Sequence, residues 1–271
     1  GSYQVFNTNN SKNYANQNNN YQNQDIKSNI NLFIGFANLK ITNKLGFTTF
    51  GVRYNNTSVK KENYENLIAF PFQLKEKTTS FYLNHFINFS KTASLNLGIR
   101  SETSNVFFNY YTEYNDQKFS NKTDYTNLLY NISYDWQNEE KKVYQSVAFR
   151  KTISRPNYNY LNPFQLITRD ITTFEGDFDI VPSQLYLLSY EKSKKKWNYY
   201  INTGINFDFI GSFYANRNNN IVSTYQNFDQ VIVLSSGLDY TRSFFKQKWQ
   251  STSSINASIF KIKEKEYEIG R

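Results

Sequence analysis

The residues from Trp197 to Phe209 alternate strictly between two kinds of side chain. The odd positions are aromatic or aliphatic with one threonine, and the even positions are mainly asparagine, with tyrosine, glycine and aspartate. Successive side chains of a β-strand point to opposite faces, so the pattern predicts a strand with one apolar and one polar face. Strands of soluble domains usually have about 5 to 6 residues, whereas a tilted strand needs about 9 to 11 to cross a membrane. The length of this segment therefore favours a membrane-crossing strand.

The same alternation recurs along most of the chain. It predicts ten strands between Ile26 and Ile262 and an eleventh near Tyr3 to Phe6. Short polar turns are predicted near 38–43, 90–92, 137–142, 192–196 and 243–247. Long connections are predicted near 8–24, 56–78, 106–122, 154–183 and 211–229. Short periplasmic turns and long extracellular loops are typical of outer-membrane barrels, so residues 1–271 are predicted to be all-β, a transmembrane antiparallel up-and-down β-barrel.

The composition agrees with a barrel and disfavours other classes. No run approaches about 18 apolar residues, which excludes a transmembrane helix. A soluble β-sandwich also alternates, but its solvent face usually carries many lysines and glutamates, whereas this polar face carries asparagine, serine and glycine. The absence of cysteine excludes disulfides and thiolate metal sites. The net charge is +9, but lysines cluster in the predicted turns and form no basic helix, so no nucleic-acid partner is expected.

All three tryptophans lie beside predicted short turns: Trp136, Trp197 and Trp249. Tryptophan suits the headgroup level of a membrane, where one end of its ring system is wet and the other apolar. We therefore predict that these residues are membrane-interface anchors on the periplasmic rim. The expected lipid partners are outer-membrane lipid and lipopolysaccharide.

Charged residues on the polar parity form the first set of candidate site residues. They are Arg53, Arg100, Glu102, Arg150, Asp208 and Asp239. In a barrel this face lines the lumen, because a charge facing mid-bilayer lipid would cost about 2–4 kcal/mol. Two interpretations stay open: a network of ion pairs that holds neighbouring strands or an interior domain, and a substrate path that favours anions.

The predicted connection near 106–122 is rich in aromatic residues, namely Phe107, Phe108, Tyr110, Tyr111 and Tyr114. Such rings can stack on a sugar or a flat ligand in an extracellular loop, or pack against neighbouring loops or a lid protein. The single histidine, His85, shares the apolar face of its strand, so packing is favoured over metal binding. Nothing resembles a catalytic set, and we expect no enzyme activity, metal or cofactor.

Two stretches carry a family resemblance. One runs from Leu97 to Thr103, and the other runs from Ser154 to Pro182. The landmarks of the second stretch are Arg155, Pro156, Asn162, Pro163 and Phe164. In this order and at this spacing they resemble the barrel region of outer-membrane β-barrel proteins of Bacteroidota, a group similar to TonB-dependent receptors. The resemblance implies that Arg155 and Pro156 shape the exit from a strand into an extracellular loop.

The resemblance also implies a barrel of about 22 strands, an interior plug, uptake energised by TonB and a surface lipoprotein partner. The chain shows no plug domain, TonB box or closing strand, so its ten or eleven strands are expected to be a partial set. The expected function is a receptor or transporter for uptake of an extracellular nutrient. The alternative is a non-transporting scaffold subunit of a surface or secretion complex.

Overall fold

The computed structural model describes residues 2–15, 21–65, 68–112, 117–158, 160–161, 166–169, 172–174, 176–177, 179–217, 220–244 and 249–263. Within these ranges the chain is built of β-strands, and no helix there is long and apolar enough to span a membrane. The strands are β1 (Ser2–Ala15), β2 (Tyr21–Asn43), β3 (Gly46–Glu65), β4 (Ile68–Ser90), β5 (Ala93–Thr112), β6 (Gln117–Asn138), β7 (Val143–Ser154), β8 (Leu166–Arg169), β9 (Thr172–Phe174), β10 (Ser183–Lys194), β11 (Trp197–Arg217), β12 (Asn220–Phe244) and β13 (Trp249–Lys263).

The long strands β1 to β7 and β10 to β13 form one antiparallel sheet in which each strand pairs with the next along the chain. Strands β8 and β9 come from the connection between β7 and β10, and β9 pairs in parallel with β12 at Ile221, Val222 and Ser223. In the described part of the chain, β1 and β13 are the long strands at the edges of the sheet, and β8 ends a short branch that joins β12 through β9. The predicted all-β, up-and-down fold class is confirmed, and β1 is the predicted eleventh strand.

The outer face carries a belt of exposed apolar side chains next to the tight turns, which lie at 44–45, 91–92, 139–142 and 195–196. On β6, Leu128 is 52% and Ile132 is 46% exposed, and beyond Leu128 the same face continues with Thr126 and Asp124. Equivalent exposed residues are Phe50, Phe81, Ile99, Phe149, Leu188, Ile205, Leu234 and Ile259. On β6 the stretch from Leu128 to the strand end at Asn138 is long enough for a tilted strand to cross the hydrocarbon core, which takes about 9 to 11 residues.

Beyond the belt, the alternation reverses. On β4 the inner-face residues Leu74, Glu76 and Thr78 are buried, while Lys75 and Lys77 of the outer face are exposed. The reversal follows from the surroundings, because above the lipid the outer face meets water and the inner face meets folded-in protein. We call this region, between the belt and the end of the sheet opposite the tight turns, the projecting part.

The reversal overturns most of the predicted long connections. The regions near 8–24, 56–78, 106–122 and 211–229 are largely strand; for example, β3 continues to Glu65 and β4 begins at Ile68. The sequence reading required an apolar outer face, so it ended each strand where that face becomes polar. The connection near 154–183 does join two consecutive long strands over a long stretch, and it contains β8 and β9.

Two tyrosines on the inner face lie across glycines of the next strand. Tyr200 on β11 pairs with Gly237 on β12, which pairs with Asn256 on β13, and the Tyr200 hydroxyl donates a 2.6 Å hydrogen bond to Oδ1 of Asn256. A Cβ on Gly237 would lie 2.3 Å from the Tyr200 ring, so a side chain there would displace the tyrosine. The same arrangement recurs across β4, β3 and β2 with Tyr82, Gly51 and Asn38.

Candidate functional site on the inner face

The connection between β7 and β10 folds onto the inner face of the projecting part. Its residues Leu161 and Ile180 are 5% and 6% exposed and belong to one buried apolar cluster. The strand members of that cluster are Val59, Phe72, Leu74, Val106 and Phe108. Full burial of such side chains contributes about 1.5–3 kcal/mol each. The described parts of the connection are therefore attached to the wall.

Arg155, the first residue after β7, joins the connection to two strands. Its Nε lies 3.0 Å from Oε1 of Glu76 on β4, a separation that makes an ion pair although the N–H is not aligned for a hydrogen bond. Its Nη2 pairs with Glu102 on β5, which Arg100 also contacts. The Glu102 side chain is only 2% exposed. A carboxylate so deeply buried needs paired cations, and two guanidinium groups provide them.

Hydroxyl groups complete this network. Ser80 donates to Glu102 at 3.2 Å, and Tyr158 and Tyr125 donate to the two oxygens of Glu76 at 3.0 and 3.4 Å. Burial and the neighbouring negative charge of Glu76 raise the pKa of Tyr125 to about 12. The same two causes, in the same order, raise the pKa of Tyr158. Both phenols lie outside the apolar belt and stay protonated hydrogen-bond donors at neutral pH.

The return arm of the connection is held by one asparagine. Asn227 on β12 accepts a 2.8 Å hydrogen bond from the Val181 amide and donates at 3.0 Å to the Val181 carbonyl. It also donates at 2.6 Å to the Asp208 carbonyl. Asn227 is 9% exposed, so these bonds satisfy a buried amide. The connection is thus fixed at both ends, by Arg155 and by Asn227.

Nearer the tight turns, the inner face holds a cleft of about 400 Å³. Three arginines line it, Arg53 on β3, Arg100 on β5 and Arg150 on β7. The polar and apolar residues beside them include Tyr82, Asn84, Gly98, Leu129 and Asn131. Arginine forks suit planar anionic groups, so the cleft has the chemistry of an anion site.

Four of the six predicted lumen residues, Arg53, Arg100, Glu102 and Arg150, thus lie on one inner face, around the cleft or in the ion network. Asp208 has a left-handed backbone, with φ of 51°, and its carbonyl accepts from Asn227. Asp239 shares the inner parity of β12 and lies between Asn198 and Ser254 in the register, away from the cleft.

The predicted aromatic loop is not a loop at Phe107 and Phe108, which lie within β5. Phe108 is 2% exposed in the apolar cluster, whereas Phe107 is 37% exposed on the outer face. The prediction was wrong there because the strand continues beyond the belt. Tyr110 and Tyr111 are also strand residues, with side chains outside the described part, and Tyr114 lies outside the described residues.

The exit role predicted for Arg155 and Pro156 agrees with the end of β7 at Ser154. Pro156 borders the same small cavity as Arg155, Tyr125 and Tyr158. The remaining landmarks, Asn162, Pro163 and Phe164, lie outside the described residues. What the sequence did not indicate is that Arg155 is the central cation of a buried network.

The tryptophans and the histidine lie on the outer face near the tight turns. Trp197 packs against Tyr240 with ring centroids 4.6 Å apart, and Trp136 stacks on Tyr134 at 5.4 Å. Trp249 is 71% exposed. Their role as interface anchors stays a prediction. His85 contacts the Thr48 hydroxyl at 2.7 Å, a packed and hydrogen-bonded environment.

Sequence reasoning missed Glu76, Tyr125, Tyr158 and Asn227. Glu76 fell in a predicted loop, although extending the parity of β4 from Ser80 through Thr78 would have placed it on the inner face. Nothing in the sequence marks the others, because their partners lie far away along the chain. Among the described residues no group of three or more acidic, histidine or cysteine side chains is arranged to hold a metal ion.

Comparison with known proteins agrees with this architecture. The sequence profile of the outer membrane protein beta-barrel family matches residues 2–270. No curated protein matches the chain significantly.

Solved structures share the fold at low identity. They include the copper transporter OprC, with a TM-score of 0.69 and 11% identity over 96% of this chain and 43% of that one. The ferric yersiniabactin uptake receptor FyuA from Yersinia pestis has a TM-score of 0.59 and 11% identity, over 89% of this chain and 37% of the receptor. The siderophore receptor PiuA from Acinetobacter baumannii has a TM-score of 0.59 and 12% identity, over 93% of this chain and 41% of the receptor. The chain thus spans about two fifths of these proteins.

Proposed function

Because this chain belongs to the outer membrane protein beta-barrel family and lies in the outer membrane, we propose that it is part of the wall of a receptor that takes up an extracellular nutrient. The observation that carries the proposal is the division of the sheet into an apolar outer belt and a polar inner face with a basic cleft. An inner wall that only supports its neighbours does not require an open, charged cleft. The fold shared with uptake receptors supports the same function.

The proposal includes an orientation. The projecting part is extracellular, the tight turns are periplasmic, and the connection between β7 and β10 narrows the lumen on the outside. This agrees with the family pattern of short periplasmic turns. TonB is the proposed energy source, and a surface lipoprotein is the second proposed partner; both rest on the family resemblance.

Uptake by cells tests the proposal. The gene for the full-length protein is deleted and restored, and growth is compared on a panel of single limiting nutrients. We expect a defect on one nutrient, which complementation repairs and which deletion of tonB reproduces. Normal growth on every nutrient, with a partner protein that co-purifies in a fixed ratio, would contradict uptake and support a scaffold role.

A further inference from the structure

The cleft on the inner face carries positive charge without a matching negative charge. Its lining contains Arg53, Arg100, Arg150 and Lys151, and no carboxylate. The Lys151 ammonium group is directed elsewhere, 5.2 Å from the centre of the Tyr186 ring on the outer parity. Three guanidinium groups are therefore the charges that face this space.

The nearest acidic residues are already used. Glu102 is paired with Arg100 and Arg155, and Glu76 is paired with Arg155. Two carboxylates thus balance two arginines, and the charges of Arg53 and Arg150 are not compensated within the described residues.

The hydrogen-bonding capacity of the arginines is also incompletely used. Arg53 donates through Nε to the neutral side chain of Asn55 at 3.1 Å, which leaves its terminal nitrogens available. Nε of Arg100 is buried and has no hydrogen-bond partner. Arg150 is exposed and makes no hydrogen bond or ion pair with the described residues. These available N–H groups can donate charge-assisted, bidentate hydrogen bonds to a carboxylate or a phosphate.

The arrangement fits a ligand larger than a single ion. The arginines lie on alternate strands, β3, β5 and β7, so their backbone positions are about 10 Å apart at the usual strand spacing. The cleft volume of about 400 Å³ is within the range of small-molecule sites. Asn84 and Asn131 add amide groups that can bind hydroxyls between the anionic groups.

We propose that this cleft binds a small organic solute with carboxylate or phosphate groups, held by Arg53 and Arg150 at its ends and Arg100 between them. This solute would be the substrate of the proposed uptake function, so its role as a substrate rests on that function. Binding itself is measured without transport, so the two proposals fail separately.

Binding to the purified full-length protein in detergent tests the site. Isothermal titration uses citrate as the carboxylate probe, inorganic phosphate as the phosphate probe and glucose as the neutral probe. We expect saturable binding of citrate or phosphate that weakens as salt rises, with no binding of glucose. The stronger of the two anions identifies the preferred group.

Variants locate the site. Arg53→Gln and Arg150→Gln should each weaken anion binding about tenfold, because each removes a charge-assisted contact. Lys75→Gln is the control, since it removes an exposed cation of the outer face that does not line the cleft, and it should bind as the parent does. Neither arginine belongs to the buried ion network, so the variants should fold. Absence of saturable anion binding in the parent protein, or unchanged binding after both arginine substitutions together, would overturn the site.

Discussion

The hydroxyl of Tyr200 reaches Asn256 across an intervening strand, at a hydrogen-bond distance of 2.6 Å. The ring can lie against the backbone of β12 because the residue that it covers is Gly237, which has no side chain. The glycine thus serves packing, since its missing side chain leaves room for the tyrosine of one neighbour to contact the asparagine of the other. Three strands are joined by side chains as well as by their backbones.

Alanine at Gly237 should destabilise the sheet. Its Cβ would lie 2.3 Å from the Tyr200 ring, and the tyrosine would have to give up its bond to Asn256. We expect Gly237→Ala to reduce the free energy of unfolding by about 1–3 kcal/mol, the usual cost of overpacking. Gly35→Ala is the control, because the nearest atom there is 3.6 Å away. Urea titration of the protein refolded in lipid vesicles measures both, and equal stability of the two variants would contradict the packing role.

Removal of the Arg155 charge should release the connection from the wall. Arg155→Gln leaves Glu76 without its cation and Glu102 with one. We expect a loss of about 2–3 kcal/mol, below the value for a fully buried pair because the Arg155 side chain is 31% exposed. Thermal unfolding measures the loss. Adding Glu76→Gln, which leaves Glu102 paired with Arg100, should recover most of it, and failure to recover any would show that the charges are not the cause.

Strongly alkaline pH should weaken the same region. The pKa of Tyr125 is raised from 10.0 to about 12 by burial and by Glu76. A raised pKa means that the folded state holds the proton more tightly, so its stabilisation is complete below pH 10 and is lost as pH rises towards about 12. Ultraviolet difference absorbance of the phenolate, compared between the parent and Tyr125→Phe, reports this titration. A difference signal with its midpoint at the ordinary tyrosine value would contradict the buried environment.

Cysteine labelling should reveal both the alternation and its reversal. The chain has no cysteine, so each introduced thiol is unique. In the membrane, a water-soluble thiol reagent should modify Asn202→Cys on the inner face and spare Ile201→Cys on the outer face. In the projecting part, Lys77→Cys should react although it is on the outer face, because water replaces lipid there. Equal labelling at 201 and 202 would refute the face assignment, and protection at 77 would refute the position of the belt edge.

The sequence predicted the sheet well where lipid surrounds the outer face and the inner face stays polar. Segments such as Trp197–Phe209 alternate because lipid and the inner space select different side chains, and strand pairing follows from short turns. Beyond the belt this contrast reverses, with Leu74 inside and Lys75 outside. The alternation expected for a lipid-facing strand therefore stops at the belt edge, although the strands continue beyond it.

The site was predictable only in part. Parity placed Arg53, Arg100 and Arg150 on one face, and register then brought them to one cleft. The partnership of Arg155 with Glu76 could not be predicted, because it depends on a long connection folding back over the sheet. Such tertiary contacts leave no periodic signal in the sequence.

The projecting part has an evolutionary consequence. Exposed outward side chains such as Lys75 and Lys77 meet few packing constraints, whereas inward side chains such as Leu74 pack against the folded-in connection. Related proteins are therefore expected to vary in sequence at the outward positions of these stretches and to vary less at the inward positions between them.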